Sequence, residues 1–334
     1  MFLDQQSAQN RLPVVLLSGF LGSGKTTLVN ALLRDPAMAD TAVAVNEFGE
    51  VPLDQLLIEH GADQTVVLAN GCLCCRLAGD FEDAVMRIFT RRETGALPAF
   101  TRLIIEPSGL ADPAPIAQTI LRNPVMSAVL RLEAMITTVD AVLVRQQIER
   151  YPETRKQIVL ADRLVLTKTD LVTPDVVAAV RRLLRDLNPV APLHLAIRGA
   201  VDVADLLPPG FVSSQRRSVL FAEPVTADHG GETEAVSLTS DSPLRWRAFD
   251  TWLRSIRISH AEKVMRIKGM LNIAGAAGPV VIQGVEHVMH APVVLDRWPD
   301  DDRRSRVVVI SRGLAPGIIQ ESWRQALPGL LATH

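Results

Sequence analysis

Residues 14–33 read VVLLSGFLGSGKTTLVNALL, an apolar run followed by a glycine-rich loop and then by a helical pattern. The central stretch, residues 19–26, matches the phosphate-binding pattern G-x4-G-K-[ST]. A strand before such a loop and a helix after it turn backbone N–H groups toward a phosphate, at the positive end of the helix dipole. The segment therefore predicts a nucleotide site at the first strand–helix junction of an α/β domain.

The loop also carries the side chains that phosphate chemistry needs. Lys25 supplies a cation for the β- and γ-phosphates, and the Thr26 hydroxyl can ligate Mg2+. The other nucleotide-binding residues predicted in this loop are Gly19, Gly22, Ser23, Gly24 and Thr27.

Composition and charge narrow the class of protein. The chain has 334 residues, of which 48% are hydrophobic and 22% charged, as in a folded protein of two domains. Lys and Arg total 35 against 37 Asp and Glu, a near balance that argues against nucleic acid or an anionic membrane as the main partner. The apolar run at residues 14–20 is too short to span a bilayer, and the opening residues show no secretion signal. We therefore expect a cytoplasmic protein.

Short apolar runs alternate with helical patterns from residue 13 to about residue 199. Runs that are apolar throughout are typical of strands buried on both faces of a parallel sheet, so we expect a doubly wound, mostly parallel α/β fold. The predicted strands are residues 14–17, 42–45, 65–68, 103–105, 134–139 and 163–166. The predicted helices are residues 25–33, 80–91, 115–121 and 174–188.

An acidic residue follows the strand predicted over residues 103–105. Glu106 lies where the second Mg2+ contact of a phosphate-loop protein belongs, through water. Gly109, three residues later, takes the position whose backbone N–H can sense a γ-phosphate. Together, Lys25, Thr26 and Glu106 are the predicted catalytic residues.

The sequence Thr167-Lys168-Thr169-Asp170 directly follows the strand predicted over residues 163–166. A carboxylate can accept hydrogen bonds from the N1–H and the exocyclic amine of guanine, whereas adenine presents an acceptor at N1. Asp170 therefore predicts GTP rather than ATP, and the stem of Lys168 would cover the base. A buried polar group left unpaired by the wrong base can discriminate by roughly 10^4. The alternative is a solvated surface turn.

All three cysteines, Cys72, Cys74 and Cys75, lie in one tetrapeptide. In a reducing compartment such clustering favours a soft-metal site, because three thiolates fill three of the four tetrahedral positions of Zn2+. A carboxylate, a histidine, a water molecule or a client protein could supply the fourth ligand. Glu50 and Glu82 are candidates, although either could equally be a solvated acid. Inert buried cysteines and a thiol–disulfide switch are the alternatives for the cluster.

The pattern of predicted elements changes after residue 210. Residues 211–232 contain Ser-Ser and Gly-Gly pairs and predict a linker. Consecutive strands at residues 235–239, 264–273, 280–289 and 306–310, with helices at residues 243–258 and 316–327, indicate a small α+β domain. We therefore divide the chain into an N-terminal extension (1–12), a phosphate-loop GTPase domain (13–210), the linker (211–232) and the α+β domain (233–330).

Motifs in a fixed order resemble those of the CobW-type metallochaperone GTPases. They are GFLGSGKTT (19–27), NEFGE (46–50), GCLCC (71–75), EPSGLADP (106–113), TKTD (167–170), RIKGML (266–271) and IQGV (282–285). The resemblance covers nearly the whole chain and implies a phosphate-loop GTPase domain followed by a CobW C-terminal-type domain. It further implies that GTP binding and slow hydrolysis are coupled to delivery of Zn2+, or sometimes Co2+, to a client metalloprotein. Asn46 and Glu47 would then belong to a switch that touches the nucleotide and the metal region.

The sequence departs from this family pattern at three positions. Val45 stands where many relatives carry an acid, which removes one candidate metal ligand. The predicted linker has only His229, whereas some relatives have a histidine-rich tract there. The guanine motif begins with Thr167 rather than the more general Asn.

These patterns lead to one hypothesis with two alternatives. GTP and Mg2+ would order residues 46–50 and bring the three cysteines into tetrahedral geometry, and hydrolysis would release the metal to the client. Because no arginine finger or activating Gln is identifiable, unassisted turnover should be well below about 1 s^-1. The alternatives are a redox-responsive GTPase with a Cys72–Cys74 disulfide, and a client-specific maturation factor, for instance for a nitrile hydratase. The physiological metal, the client and the oligomeric state, a homodimer included, stay open.

Overall fold

The computed structural model describes residues 3–4, 11–45, 78–97, 99–207, 233–298 and 301–332. The cysteines, the predicted switch at residues 46–50, the strand predicted over residues 65–68 and the predicted linker lie outside these residues. The chain divides into two compact units. One comprises Arg11–Leu184 and Ala191–Pro209, and the other Met1–Asn10, Arg185–Val190 and Gly210–His334.

Strands and helices are labelled in chain order within the described residues. The strands are β1 (Leu3–Asp4), β2 (Leu12–Gly19), β3 (Thr41–Val45), β4 (Arg102–Glu106), β5 (Leu130–Asp140), β6 (Arg163–Thr167), β7 (Leu193–Ala196), β8 (Thr233–Ser240), β9 (Val264–Leu271), β10 (Val280–Val285), β11 (Val288–Met289), β12 (Val293–Val294) and β13 (Ser305–Arg312). The helices are α1 (Lys25–Leu33), α2 (Ala78–Glu93), α3 (Pro113–Arg122), α4 (Pro124–Val129), α5 (Val144–Arg150), α6 (Pro152–Leu160), α7 (Pro174–Leu187), α8 (Val203–Leu206), α9 (Trp246–Ser259) and α10 (Pro316–Leu330).

The first unit is built on a six-stranded sheet with the order β3-β4-β2-β5-β6-β7, and all of its pairings are parallel. The central strand β2 is apolar on both faces because both are covered, and Val14 and Leu16 are fully buried. One face packs on α1 through Leu28 and Val29. The predicted α/β class with a parallel sheet is confirmed.

Elements that bury polar side chains were missed by the sequence pattern. Strand β7 contains a partly buried His194 and an exposed Leu195, so it lacks the continuous apolar run of the central strands. Helix α6 buries Thr154 and Gln157 beside its apolar residues, and therefore shows no simple apolar stripe. Polar burial hides an element from a search for apolar periodicity.

The second unit contains a sheet with the order β1-β12-β10-β9-β13-β8, on which β11 pairs with β10. The β1–β12 pairing is parallel and the others are antiparallel. Strand β1 comes from the opening segment that the sequence suggested was only an extension. Its pairing with β12 depends on contacts between the two ends of the chain, which no local pattern reveals.

Helices α9 and α10 cover the core of the second unit. Phe249 and Trp252 of α9 are buried with Trp323 of α10, and the rings of Trp252 and Trp323 meet edge to face at 4.9 Å. The aromatic stripe of α9 is therefore core, as its helical spacing predicted. The single strand predicted over residues 280–289 is wrong, because a tight turn with Glu286 at φ +52° separates β10 from β11.

In the parts of the chain that the structure describes, no helix combines the length and the apolar character needed to cross a bilayer.

Candidate nucleotide site

The predicted nucleotide residues lie where the strands of the parallel sheet end. Gly19 pairs with Thr138, Val45 with Glu106, and Asp140 with Thr167, so their strands end at one edge. Ligands of open α/β sheets bind at this carboxyl edge.

The phosphate loop leaves β2 and enters α1. Gly24, at the N-terminal cap of α1, has φ +94°, in the left-handed region that favours glycine. Lys25 is buried, and its Nζ donates to the carbonyl oxygens of Gly19 at 3.0 Å and Phe20 at 3.4 Å. The ammonium group is thus held across the loop, at the start of the helix. Gly22 and Thr27 are exposed at the same loop.

Thr26 and Glu106 meet although 80 residues separate them in the sequence. The Thr26 hydroxyl donates to Oε1 of Glu106 at 3.0 Å, and Glu106 is only 4% exposed. Hydroxyl and carboxylate oxygens are the hard ligands that Mg2+ prefers. The side chains present at this position therefore fit a magnesium ion.

Thr167 joins the guanine motif to the phosphate loop. Its Oγ1 lies 2.7 Å from the carbonyl oxygen of Ser23 and 3.1 Å from that of Val139. Ser23 is bound a second time, since its hydroxyl lies 2.7 Å from Oγ1 of Thr138. A threonine at the first position of the motif thus ties β6 and β5 to the loop.

An ion pair with Asp140 fixes Lys168. Lys168 has φ +56°, and its Nζ donates to Oδ2 of Asp140 at 2.6 Å. Asp140 is fully buried, and its Oδ1 accepts the backbone N–H groups of Val142 and Leu143. Asp170 lies on the short 3-10 turn Thr169–Leu171 and is exposed, so its carboxylate is accessible to a base.

The turn after Glu106 contacts the phosphate loop. A Cβ atom added to Gly109 would lie 2.6 Å from the backbone nitrogen of Leu21 and 2.8 Å from its Cα, so only glycine fits there. The carbonyl oxygens of Gly109 and Ala111 accept the side-chain amide of the buried Gln157, at 3.1 and 2.9 Å. This turn is therefore held from both sides.

Sequence reasoning did not assign roles to Thr138, Asp140 and Gln157. A signal existed for Asp140, because it ends an apolar strand as Glu106 does. None existed for Gln157, whose partners lie 46 and 48 residues away.

The candidate zinc residues are only partly described. Asn46, Glu47, Glu50 and the three cysteines lie outside the described residues. Glu82 does not begin its helix but lies in the second turn of α2, where its Oε2 accepts Nδ2 of Asn123 at 2.5 Å. Within the described ranges, no group of three or more His, Cys, Asp or Glu side chains is arranged to hold a metal ion.

Comparison with known proteins adds sequence and structural relatives. Residues 13–194 match the CobW/HypB/UreG nucleotide-binding domain, and residues 233–327 match the cobalamin synthesis protein cobW C-terminal domain. The chain is 34% identical over 326 residues to the zinc chaperone YjiA of Escherichia coli (strain K12), covering 96% of this chain and 99% of that protein. It is 28% identical over 355 residues to the zinc chaperone CobW of Pseudomonas aeruginosa, covering 95% and 92%. Its structure is similar to that of the Zn(II)-bound YjiA GTPase from E. coli, with a TM-score of 0.72 and 30% identity over 97% of this chain and 100% of that chain.

Proposed function

This chain belongs to the CobW family and is a GTPase metallochaperone, and we propose that its GTP cycle loads Zn2+ onto Cys72, Cys74 and Cys75 and delivers the ion to a client metalloprotein. The observation that carries this proposal is the Thr26–Glu106 pair, held at 3.0 Å at the carboxyl edge of the parallel sheet. A phosphate loop and a guanine motif lie at the same edge, bonded to each other through Thr167 and Ser23.

The phosphate loop would hold the triphosphate. Lys25 would exchange its bonds to the loop carbonyls for bonds to the β- and γ-phosphate oxygens. Thr26 and Glu106 would hold Mg2+, which neutralises charge on the phosphates when it is bound. The backbone N–H of Gly109 would report whether a γ-phosphate is present.

The guanine motif would select the base. The exposed Asp170 would accept the N1–H and exocyclic amine of guanine. Lys168, held by Asp140, would lay its stem over the ring.

Chain order supports coupling between the nucleotide and the cysteines. Strand β3 ends at Val45, which pairs with Glu106. The segment that follows carries both the proposed switch at residues 46–50 and the cysteines. A γ-phosphate that ordered this switch could therefore alter the geometry of the thiolates. Zn2+ is the preferred cargo because similar proteins are named zinc chaperones, and Co2+ is the second choice.

The fourth zinc ligand is assigned between two carboxylates. Glu50 is the better candidate, since Glu82 already accepts a hydrogen bond from Asn123, which caps α4. A donor from the client protein would serve as well, and would help to release the ion during transfer.

A competition titration against a chelator tests this site, with Mg2+ and a non-hydrolysable GTP analogue present. We expect a variant with serine at all three cysteine positions to lose at least about 100-fold in Zn2+ affinity, because hydroxyls are poor ligands for this ion. Equal affinity in the variant and the parent would contradict the proposal. Thiol titration separates the redox alternative, since Zn2+ should protect all three thiols whereas a disulfide consumes two without metal.

A further inference from the structure

We propose that Gln157 is a positioning residue for the γ-phosphate, because its side-chain amide fixes the turn at residues 109–111 against the phosphate loop. The inference rests on the proposed function in one respect, the role of Gly109 as the group that senses the γ-phosphate.

The amide of Gln157 is fully committed to this turn. Its Nε2 donates to Gly109 O at 3.1 Å and to Ala111 O at 2.9 Å, and the residue is only 1% exposed. An amide nitrogen has two hydrogens, and here each has one carbonyl acceptor. Rotation of the turn would therefore leave buried polar groups unpaired, which is costly.

The helix that carries Gln157 is bonded back toward the phosphate loop. The Thr137 hydroxyl of β5 donates to the backbone carbonyl of Gln157 at 3.0 Å. The Ser18 hydroxyl lies 2.8 Å from Oγ1 of Thr137, and Ser18 directly precedes Gly19 of the loop. With the close contact between Gly109 and Leu21, these bonds join the turn, α6, β5 and the loop into one closed set of contacts.

A neighbouring ion pair holds the end of the same segment. Nζ of Lys156 lies 2.6 Å from Oδ2 of Asp112, and Oδ1 of Asp112 accepts the N–H of Ala114 at the start of α3. Consecutive residues of α6 thus hold the segment at three positions. The turn is ordered before any nucleotide binds, so the ordering cost is not taken from γ-phosphate binding.

This arrangement predicts an effect on GTP that GDP does not share. GDP has no γ-phosphate for Gly109 to contact, so a displaced turn should weaken GTP alone. A purely structural role for Gln157 would instead lower stability and weaken both nucleotides together.

Gln157→Met is the informative variant. It keeps the side-chain length and removes the donors. It also removes Oε1, which is buried without a hydrogen-bond partner in the described part of the chain, so the loss of stability is limited. Gln157→Glu is the second variant, since it keeps the shape but turns acceptors toward the two carbonyls. Thr154→Val is the matched control, because Thr154 is buried one turn earlier on α6 and its hydroxyl has no partner among the described residues.

The experiment measures dissociation constants for GDP and a non-hydrolysable GTP analogue in the full chain with Mg2+, together with the melting temperature. We expect Gln157→Met and Gln157→Glu to lower the preference for the analogue over GDP by about tenfold, and Thr154→Val to leave it unchanged. An unchanged preference in either folded Gln157 variant overturns the inference. A parent protein with no preference would instead refute the γ-phosphate role of Gly109.

Hydrogen exchange of the unsubstituted protein adds a test that needs no variant. The amides of residues 109–112 should be protected without nucleotide. Protection that appears only when the GTP analogue is added would contradict a turn ordered in advance by Gln157.

Discussion

Thr26 and Glu106 show how a single pair of side chains defines the candidate magnesium position. The Thr26 hydroxyl is an oxygen ligand bound to a buried carboxylate. We expect Thr26→Val to lose at least about tenfold in Mg2+-dependent GTP hydrolysis, because the methyl group that replaces the hydroxyl cannot ligate the ion. Thr26→Ser keeps the hydroxyl and is the control.

Phosphate release measured against Mg2+ concentration checks this prediction. The serine variant should need about the same Mg2+ concentration as the parent. If the valine and serine variants share one Mg2+ dependence, Thr26 is not a ligand.

Asp140 is expected to act on the base through Lys168. Asp140→Asn keeps an oxygen to cap Val142 and Leu143 but loses the charge that holds Lys168. We expect affinities for GTP and GDP to fall by the same factor, roughly five- to tenfold, because both nucleotides carry the same base. Fluorescent nucleotide titration measures this, with Asp250→Asn as the control that removes an exposed ion pair with Arg254 on α9. A loss confined to GTP would show that the pair acts on the phosphates instead.

At the residue scale, the sequence revealed side chains whose chemistry is carried by a motif. The phosphate loop, Glu106 and the guanine motif could be predicted because glycine spacing and strand ends limit their positions. Gln157 could not, since a glutamine in a helix has no recognisable role until its acceptors are placed beside it.

At the scale of elements, continuous apolar runs predicted the central strands, whereas the edge strand β7 was missed. His194 on β7 explains this and has a measurable consequence. Burial, and secondarily the positive charge of Arg163, lowers the pKa of His194 below 6.5, against an opposing effect of Asp205. The folded state thus binds a proton less readily than the unfolded state, so stability is lost as the pH falls below about 6.5.

We expect His194→Gln to reduce this acid sensitivity, because glutamine does not titrate. Urea unfolding at pH 8 and pH 5.5 provides the comparison. The variant should lose less stability between the two pH values than the parent does. An equal loss in both proteins would assign the acid sensitivity to other groups.

At the scale of the whole molecule, the sequence predicted an α/β part followed by an α+β part, because strand and helix patterns alternate first and cluster later. It did not predict that residues Leu3–Asp4 pair with β12. Strand pairing between distant segments depends on register, which two-residue strands do not encode in their own composition. The family match supports the same order of domains, with residues 13–194 and 233–327 assigned to successive models.

The central claim is that the bound nucleotide controls zinc affinity, and equilibrium dialysis of the full chain tests it most directly. Zn2+ affinity is measured with Mg2+ plus a non-hydrolysable GTP analogue and again with GDP, using the triple cysteine-to-serine variant to subtract other sites. The account predicts at least about tenfold tighter zinc binding with the analogue, within the usual range of coupling between two sites. The same zinc affinity in both nucleotide states would contradict it.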